Sequence, residues 1–200
     1  MKRHAWAAAG LGALVSTLAF TPALAGSGHG EHDGHDGHDR AGHWPQEIDF
    51  KDATRFTGEV TDLDTSTDAP TDGVEATAII ARGVDGSIAG LKLRGFEEEA
   101  SGTQFGAHVH TGPCVEDEPE TAGPHYNHDV ATGREPVRVD RSTEVWFDLV
   151  VSDGGTAGDG AIVPFVVPEP QDGAASIVLH EEPTDHDGEA GGRSACIPLD

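Results

Sequence analysis

The sequence predicts an all-β protein, either an antiparallel sandwich or a flattened barrel. Seven short segments are rich in apolar and β-branched residues, and turns rich in Gly, Pro and Asp separate them. No stretch with helical periodicity survives this Gly and Pro punctuation. The predicted strands are residues 57–63, 74–81, 87–93, 103–110, 143–152, 161–167 and 174–180.

Each segment has a strand pattern of its own. Residues 57–63 and 87–93 alternate apolar with polar or small residues, the period of a half-buried strand. Residues 74–81 end in an apolar run, and turns at 69–73 and 83–86 bound that segment. The remaining four segments continue the series. The Gly-rich residues 153–160 are predicted to be a turn.

The first 25 residues have the features of a secretory signal peptide. Lys2 and Arg3 give a positive start, residues 5–20 are apolar, and Ala23 and Ala25 form a small-x-small cleavage site. The apolar run is too short for a confident membrane anchor, and no cysteine lies near the cut. We expect cleavage after Ala25 and export to the exterior or to a periplasm.

A His-, Asp- and Gly-rich segment, residues 26–52, separates the signal peptide from a β domain at residues 53–200. Its low-complexity part has no apolar residue able to form a core, so we expect disorder in the absence of metal. Such tracts bind divalent metal weakly, and two interpretations stay open: accessory metal capture for the domain, or a solvated linker. The histidines concerned are His29, His32, His35, His38 and His43.

The chain is strongly acidic. Removal of Lys2 and Arg3 with the signal peptide leaves ten basic residues against 36 acidic ones, a formal charge of −26. This charge argues against binding to nucleic acid or to an anionic membrane, and it favours solubility outside the cell.

The sequence has two cysteines, Cys114 and Cys196. In an oxidising compartment an even pair most simply forms one disulfide. A thiolate pair for a soft metal is the alternative, but no CxxC spacing supports it.

Four histidines of the C-terminal half form a candidate metal site. His108 and His110 are two residues apart on a predicted strand, so both rings point to one face. His125 lies in the short motif at residues 122–127, and His180 lies at the end of a predicted strand, in the motif at residues 177–181. Neutral imidazole suits copper and zinc. From spacing alone, a metal site and three unrelated polar positions at strand ends are both possible.

Four motifs resemble those of the Cu/Zn superoxide dismutase family, in that family's order: residues 105–110, 122–127, 177–181 and 191–196. The resemblance covers about residues 54–199. It implies an immunoglobulin-like, Greek-key superoxide dismutase fold with copper bound by His108, His110, His125 and His180. It further implies that His125 is the acid that helps form peroxide and that Arg193 orients the anion. Arg193 could also tie the Cys114 loop through backbone carbonyls.

The resemblance fails where the family binds zinc. After His128 no histidine follows until His180, so His128 is a single, weak zinc candidate. The connection at residues 181–192 is short and has no lysine. Both departures resemble the copper-only branch of the superfamily, in which a glutamate holds the far nitrogen of the bridging histidine. Glu144 is the candidate for that role, or it is an exposed carboxylate at the start of a strand.

The sequence therefore predicts a secreted, copper-dependent superoxide dismutase with zinc absent. Its partner would be superoxide, a small-molecule substrate. The alternative function is a copper-binding or copper-buffering protein on the same fold without dismutase turnover. Arg193 favours the enzyme, and the acidic surface with the His-rich tail favours the buffer.

Overall fold

A computed structural model describes residues 48–65 and 69–199. The predicted signal peptide and the five tail histidines lie outside the described residues. Within them, no helix is long and apolar enough to cross a membrane. The strands are β1 Ile48–Glu59, β2 Thr61–Asp62, β3 Glu75–Gly83, β4 Ser87–Arg94, β5 Gln104–His110, β6 Trp146–Val150, β7 Thr156–Val163, β8 Ser176–His180 and β9 Arg193–Pro198, with one short helix, α1, at His128–Thr132.

The nine described strands form two antiparallel sheets, which confirms the predicted sandwich. One sheet has the order β1-β3-β4-β7 and the other the order β2-β9-β8-β5-β6. Among the described strands the chain changes sheet five times, on either side of β2, between β4 and β5, and on either side of β7, as chains do in Greek-key sandwiches.

The core lies between the two sheets. Along β3, every second residue from Ala76 to Ile80 is buried, which is the alternation expected of a strand with one face inward. In the same sheet, β4 contributes the fully buried Leu93. The opposite sheet contributes large, fully buried side chains from β6, β8 and β9, which are Phe147, Leu149, Ile177, Leu179 and Ile197.

The turn predicted at residues 153–160 is wrong in its second half. Strand β7 begins at Thr156 and pairs with β4 along its whole length. A Cβ atom at Gly158 would lie 3.2 Å from the carbonyl oxygen of Leu91. The glycine therefore allows close approach of the neighbouring backbone, a use of glycine that looks like a turn in the sequence. The short helix α1 and strand β9 were not among the predicted elements.

The predicted disulfide joins Cys114 to Cys196, 82 residues apart in the sequence. It ties the loop that follows β5 to strand β9, and both strands belong to the five-stranded sheet. In the chain-entropy model, closing a loop of this length stabilises the fold by about 4 to 5 kcal/mol.

Candidate metal centre

Four histidines converge on one end of the second sheet. His108 and His110 come from β5, His180 ends β8, and His125 lies in a loop that bridges back to His110. One ring nitrogen from each histidine lies within 4.8 Å of the others. His108, His110 and His180 are buried, whereas His125 is partly exposed. The structure thus brings together all four predicted ligands.

The hydrogen bonds of His110 and His180 fix which nitrogen of each ring carries the proton. His110 Nδ1 lies 3.0 Å from the carbonyl oxygen of Gly123, and His180 Nδ1 lies 3.4 Å from that of Gly191. A carbonyl only accepts, so each Nδ1 is the donor. The two Nε2 atoms then face each other at 3.3 Å with lone pairs and no proton between them. A bound cation would relieve this contact.

His108 is oriented the other way round. Its Nε2 lies 2.9 Å from the hydroxyl oxygen of Thr184. Its Nδ1 is buried and has no hydrogen-bond partner. A buried polar nitrogen without a partner is costly, and here it belongs to the ring set that converges with the other three histidines. His108 is therefore suited to bind a metal through Nδ1.

His125 is held by a buried carboxylate. Its Nδ1 donates to Glu144 at 3.0 Å, so that its Nε2 is left for the cluster. Glu144 also accepts from Asn127 Nδ2 at 2.8 Å and from Trp146 Nε1 at 2.8 Å. Burial alone would raise the pKa of Glu144, but these three hydrogen bonds outweigh it and lower the pKa below its ordinary value. The carboxylate is thus ionised beside His125.

Three of the four histidines are neutral at any ordinary pH. Burial, reinforced by neighbouring histidines, lowers the pKa of His108 and His110 to about 2 and that of His180 to about 4. Neutral imidazole is the metal-binding form. The set thus supplies four nitrogen lone pairs, a donor set that suits copper and zinc. In the described part of the chain, this is the one such group of His, Cys, Asp and Glu residues.

Arg193 borders the open side of the cluster. It lines a cleft of about 420 Å³ together with His125 and His180. One of its terminal nitrogens donates to the carbonyl oxygen of Pro119 at 2.7 Å, so the side chain does tie the Cys114 loop, as one interpretation expected. The guanidinium lies at this cleft and at a second one beside Pro119.

Comparison with solved structures identifies the architecture. A Cu/Zn superoxide dismutase from Brucella abortus matches with a TM-score of 0.50 and 17% identity, over 73% of this chain and 99% of that chain. The fold is that of a Cu/Zn superoxide dismutase. A double mutant of a SOD-like protein from Bacillus subtilis also matches, with a TM-score of 0.46 and 20% identity, over 72% of this chain and 97% of the other. No family model and no curated protein sequence matches.

Within this superoxide dismutase fold, the structure does not bring His128 into the histidine cluster. The His128 ring stacks on Phe165 with its centroid 4.7 Å away. The neighbouring Asp129 is fully buried and accepts from Arg138 Nε at 2.8 Å and from a terminal nitrogen of Arg138 at 3.0 Å. His128 Nδ1 is buried and has no hydrogen-bond partner, but among the described residues it belongs to no group of three or more converging ligands.

Glu144 is 3% exposed, so the alternative of an exposed carboxylate at the strand start is wrong. Sequence reasoning missed Thr184, Asn127 and Trp146, which hold His108 and Glu144. Asn127 and Trp146 are polar neighbours of the predicted site residues, and this proximity could have suggested them. Thr184 lies in a turn-rich connection, where no periodicity indicates the direction of a side chain.

Proposed function

We propose that this protein is a secreted superoxide dismutase that uses one copper ion and no zinc. The observation that carries the proposal is the convergence of four nitrogen lone pairs beside Arg193 in one open cleft. Copper held by His108, His110, His125 and His180 would supply the redox chemistry, in which one superoxide is oxidised to oxygen and a second is reduced, with two protons, to hydrogen peroxide.

Arg193 orients the substrate. Superoxide is an anion, and the guanidinium is always charged and offers several donors in a fixed plane. Its bond to the Pro119 carbonyl holds the side chain at the cleft and leaves its other nitrogens free of any described partner. The bond to Pro119 would serve a copper-storing protein equally well, but such a protein has no use for a cation that orients an anion.

His125 is the proton donor of the proposed reaction. It is the most exposed of the four histidines, with 22% of its side chain accessible. Nε2 is the nitrogen at which the ring would take up and release a proton, because Nδ1 is engaged by Glu144. Glu144 therefore supports the orientation of His125 and directs its Nε2 to the cleft side of the ring.

The contacts on the far side of His125 support function without zinc. Its Nδ1 donates to Glu144, His128 stacks on Phe165, and Asp129 is engaged by Arg138. A tight zinc site needs about four ligands free to converge on one ion. Here Glu144 and Asp129 are already bonded to other partners, and among the described residues the unpartnered Nδ1 of His128 belongs to no converging set of ligands.

Secretion and metal capture complete the proposal. The Cys114–Cys196 disulfide is typical of an oxidising compartment, in agreement with the signal peptide predicted at residues 1–25. Residues 29–43 would collect copper near the domain by weak histidine binding.

The test uses the chain from Gly26 onward with its five tail histidines replaced by asparagine, loaded with copper and then dialysed. We expect about one copper and no tightly bound zinc per chain, together with superoxide consumption in a stopped-flow assay. A matched Arg193→Gln variant should keep its copper but consume superoxide at least about tenfold more slowly, the lower end of the effect of electrostatic attraction on association rates.

Three outcomes separate the alternatives. One copper without superoxide consumption would indicate the copper-buffering protein. A full, tightly bound zinc equivalent would overturn the single-metal proposal. Absence of bound copper would overturn the site itself.

A further inference from the structure

Thr184 is the one side chain outside the four-histidine set that contacts His108 through a ring nitrogen among the described hydrogen bonds. It lies in the connection between β8 and β9, in the chain segment 181–192. Its hydroxyl oxygen is 2.9 Å from His108 Nε2. The contact is thus made from a loop to the face of β5 that carries the histidines.

Gly106 provides the space for Thr184. A Cβ atom at position 106 would lie 2.5 Å from the Thr184 hydroxyl oxygen, 2.9 Å from the Thr184 backbone nitrogen and 3.0 Å from the Cβ atom of Ala190. Gly106 does not need a left-handed backbone, so its role is steric. Its own N–H donates to the carbonyl oxygen of Glu182 at 2.8 Å, which fastens the same loop to β5.

We propose that Thr184, seated on Gly106, is a positioning residue that holds the proton of His108 on Nε2 and so makes Nδ1 its metal-binding nitrogen. This inference rests on the proposed metal site but not on dismutase turnover. A proton on Nδ1 instead would be a buried donor without a partner. With the proton on Nε2, the Thr184 hydroxyl accepts its hydrogen bond and the buried Nδ1 keeps a lone pair that is available to a metal.

This orientation explains how two histidines of one strand can bind the same ion. The ring centroids of His108 and His110 are 6.5 Å apart. His110 offers Nε2, the far nitrogen of its ring, because Nδ1 donates to Gly123. His108 offers the nitrogen near the backbone. The two rings can bind one ion because His110 would use its far nitrogen and His108 its near one. Thr184 fixes this choice of nitrogen for His108.

The first experiment compares Thr184→Val, which removes the hydroxyl at nearly constant shape, with Thr184→Ser, which keeps it. In the metal-free chain from Gly26 onward, NMR should detect a slowly exchanging His108 Nε2–H proton in the wild type and in Thr184→Ser, but not in Thr184→Val. Copper affinity, measured by chelator competition with the tail histidines replaced by asparagine, should fall about 10- to 100-fold in Thr184→Val only.

The second experiment replaces Gly106, the residue that leaves space for Thr184. Gly106→Ala should lower copper affinity to a similar extent, and adding Thr184→Val to it should cost little more, since both act on one contact. Gly160→Ala is the matched control: its Cβ would meet only the Ala89 carbonyl oxygen, at 3.4 Å. It should leave copper affinity unchanged.

A persistent Nε2–H signal in Thr184→Val, or unchanged copper affinity in that variant, would overturn the proposal. If Gly106→Ala fails to fold, the two Thr184 variants still decide it. The NMR signal is measured in metal-free protein. If the copper-loaded wild type did not consume superoxide, the proposed function would be refuted, but the inference about Thr184 would still stand.

Discussion

The two sides of the His125 ring differ in how far their polar groups are satisfied. On the Nε2 side, four imidazoles converge and the His108 Nδ1 atom has no partner. On the Nδ1 side, both oxygens of Glu144 accept hydrogen bonds, and the buried Asp129 is paired with the half-exposed Arg138. His128 Nδ1 has no partner there, but among the described residues it belongs to no group of converging ligands. Several lone pairs that converge on one point favour a cation, whereas carboxylates already engaged by donors, with a single unpartnered nitrogen, do not make a site. The His125 ring thus lies between a cluster suited to bind a metal and a hydrogen-bonded network that is not.

The largest effect is expected on the unsatisfied side. His108→Ala should weaken copper binding by more than about 100-fold, beyond what changes around the ligands usually cost, because it removes a ligand outright. Copper per chain after dialysis, with the tail histidines replaced, measures this. His186→Ala is the matched control, since His186 is exposed and contacts only Asp187 among the described ion pairs. Equal copper content in both variants would contradict the four-histidine site.

The next largest effect is expected on the satisfied side. Glu144→Ala should lower the free energy of unfolding by about 3 kcal/mol, since it leaves three buried or half-buried donors, on His125, Asn127 and Trp146, without their acceptor. Glu144→Gln should cost less, about 1 kcal/mol, because its oxygen can still accept from two of them. Urea unfolding of the metal-free protein measures both.

The control for this pair is Glu75→Gln. Glu75 is an exposed carboxylate bound to the exposed Arg94, so its replacement should change stability by less than about 1 kcal/mol. If Glu144→Ala behaved like Glu75→Gln, the satisfied side would not be a stabilising network, and the contrast between the two sides would lose its basis.

A smaller effect, with a defined pH dependence, is expected from Asp129. The hydrogen bond from Arg138 is the main cause that lowers the pKa of Asp129 below 3.8. The stabilisation is therefore present above that ordinary value and is lost as the pH falls through the lowered one. Asp129→Asn should be less stable than the wild type at pH 7, and the difference should shrink below about pH 4.

Asp148→Asn, at an exposed pair with Arg141, is the control and should show little difference at either pH. A gap between wild type and Asp129→Asn that stayed constant down to pH 2 would mean that the carboxylate charge contributes nothing to the loop.

The sequence predicted the ligands better than their supports, for a physical reason. Strand periodicity puts His108 and His110 on one face, and the resemblance of their motifs to those of a known family implied that His125 and His180 lie beside them. Thr184 approaches from a loop without periodicity, so its contact with His108 depends on the tertiary path alone. Gly158 shows the opposite error, since a glycine that admits a neighbouring strand looks the same in the sequence as one that makes a turn.

The surroundings of the cleft extend the comparison to longer range. The cleft that holds His125 also has Asp187 and Glu189 on its rim, and the cleft next to it has four further carboxylates. Among the described residues that line either cleft, Arg193 is the one arginine or lysine. Attraction of an anion therefore acts at short range, and the field beyond it is repulsive. The four carboxylates are those of Asp64, Asp117, Glu120 and Glu181.

The smallest expected effect follows from this arrangement. Salt screens charges separated by more than about 8 to 10 Å near 0.1 M ionic strength, so it weakens the acidic field more than the contact between Arg193 and the anion. The rate of superoxide consumption by the copper-loaded protein should therefore stay nearly constant, or rise slightly, between low and physiological salt.

Arg193→Gln removes the short-range attraction and leaves the repulsion, so the slow rate of this variant should rise more steeply with salt than that of the wild type. Stopped-flow measurements over a salt series compare the two. A wild-type rate that fell several-fold over this range would reveal a positive path to the metal, which the residues around the two clefts do not provide.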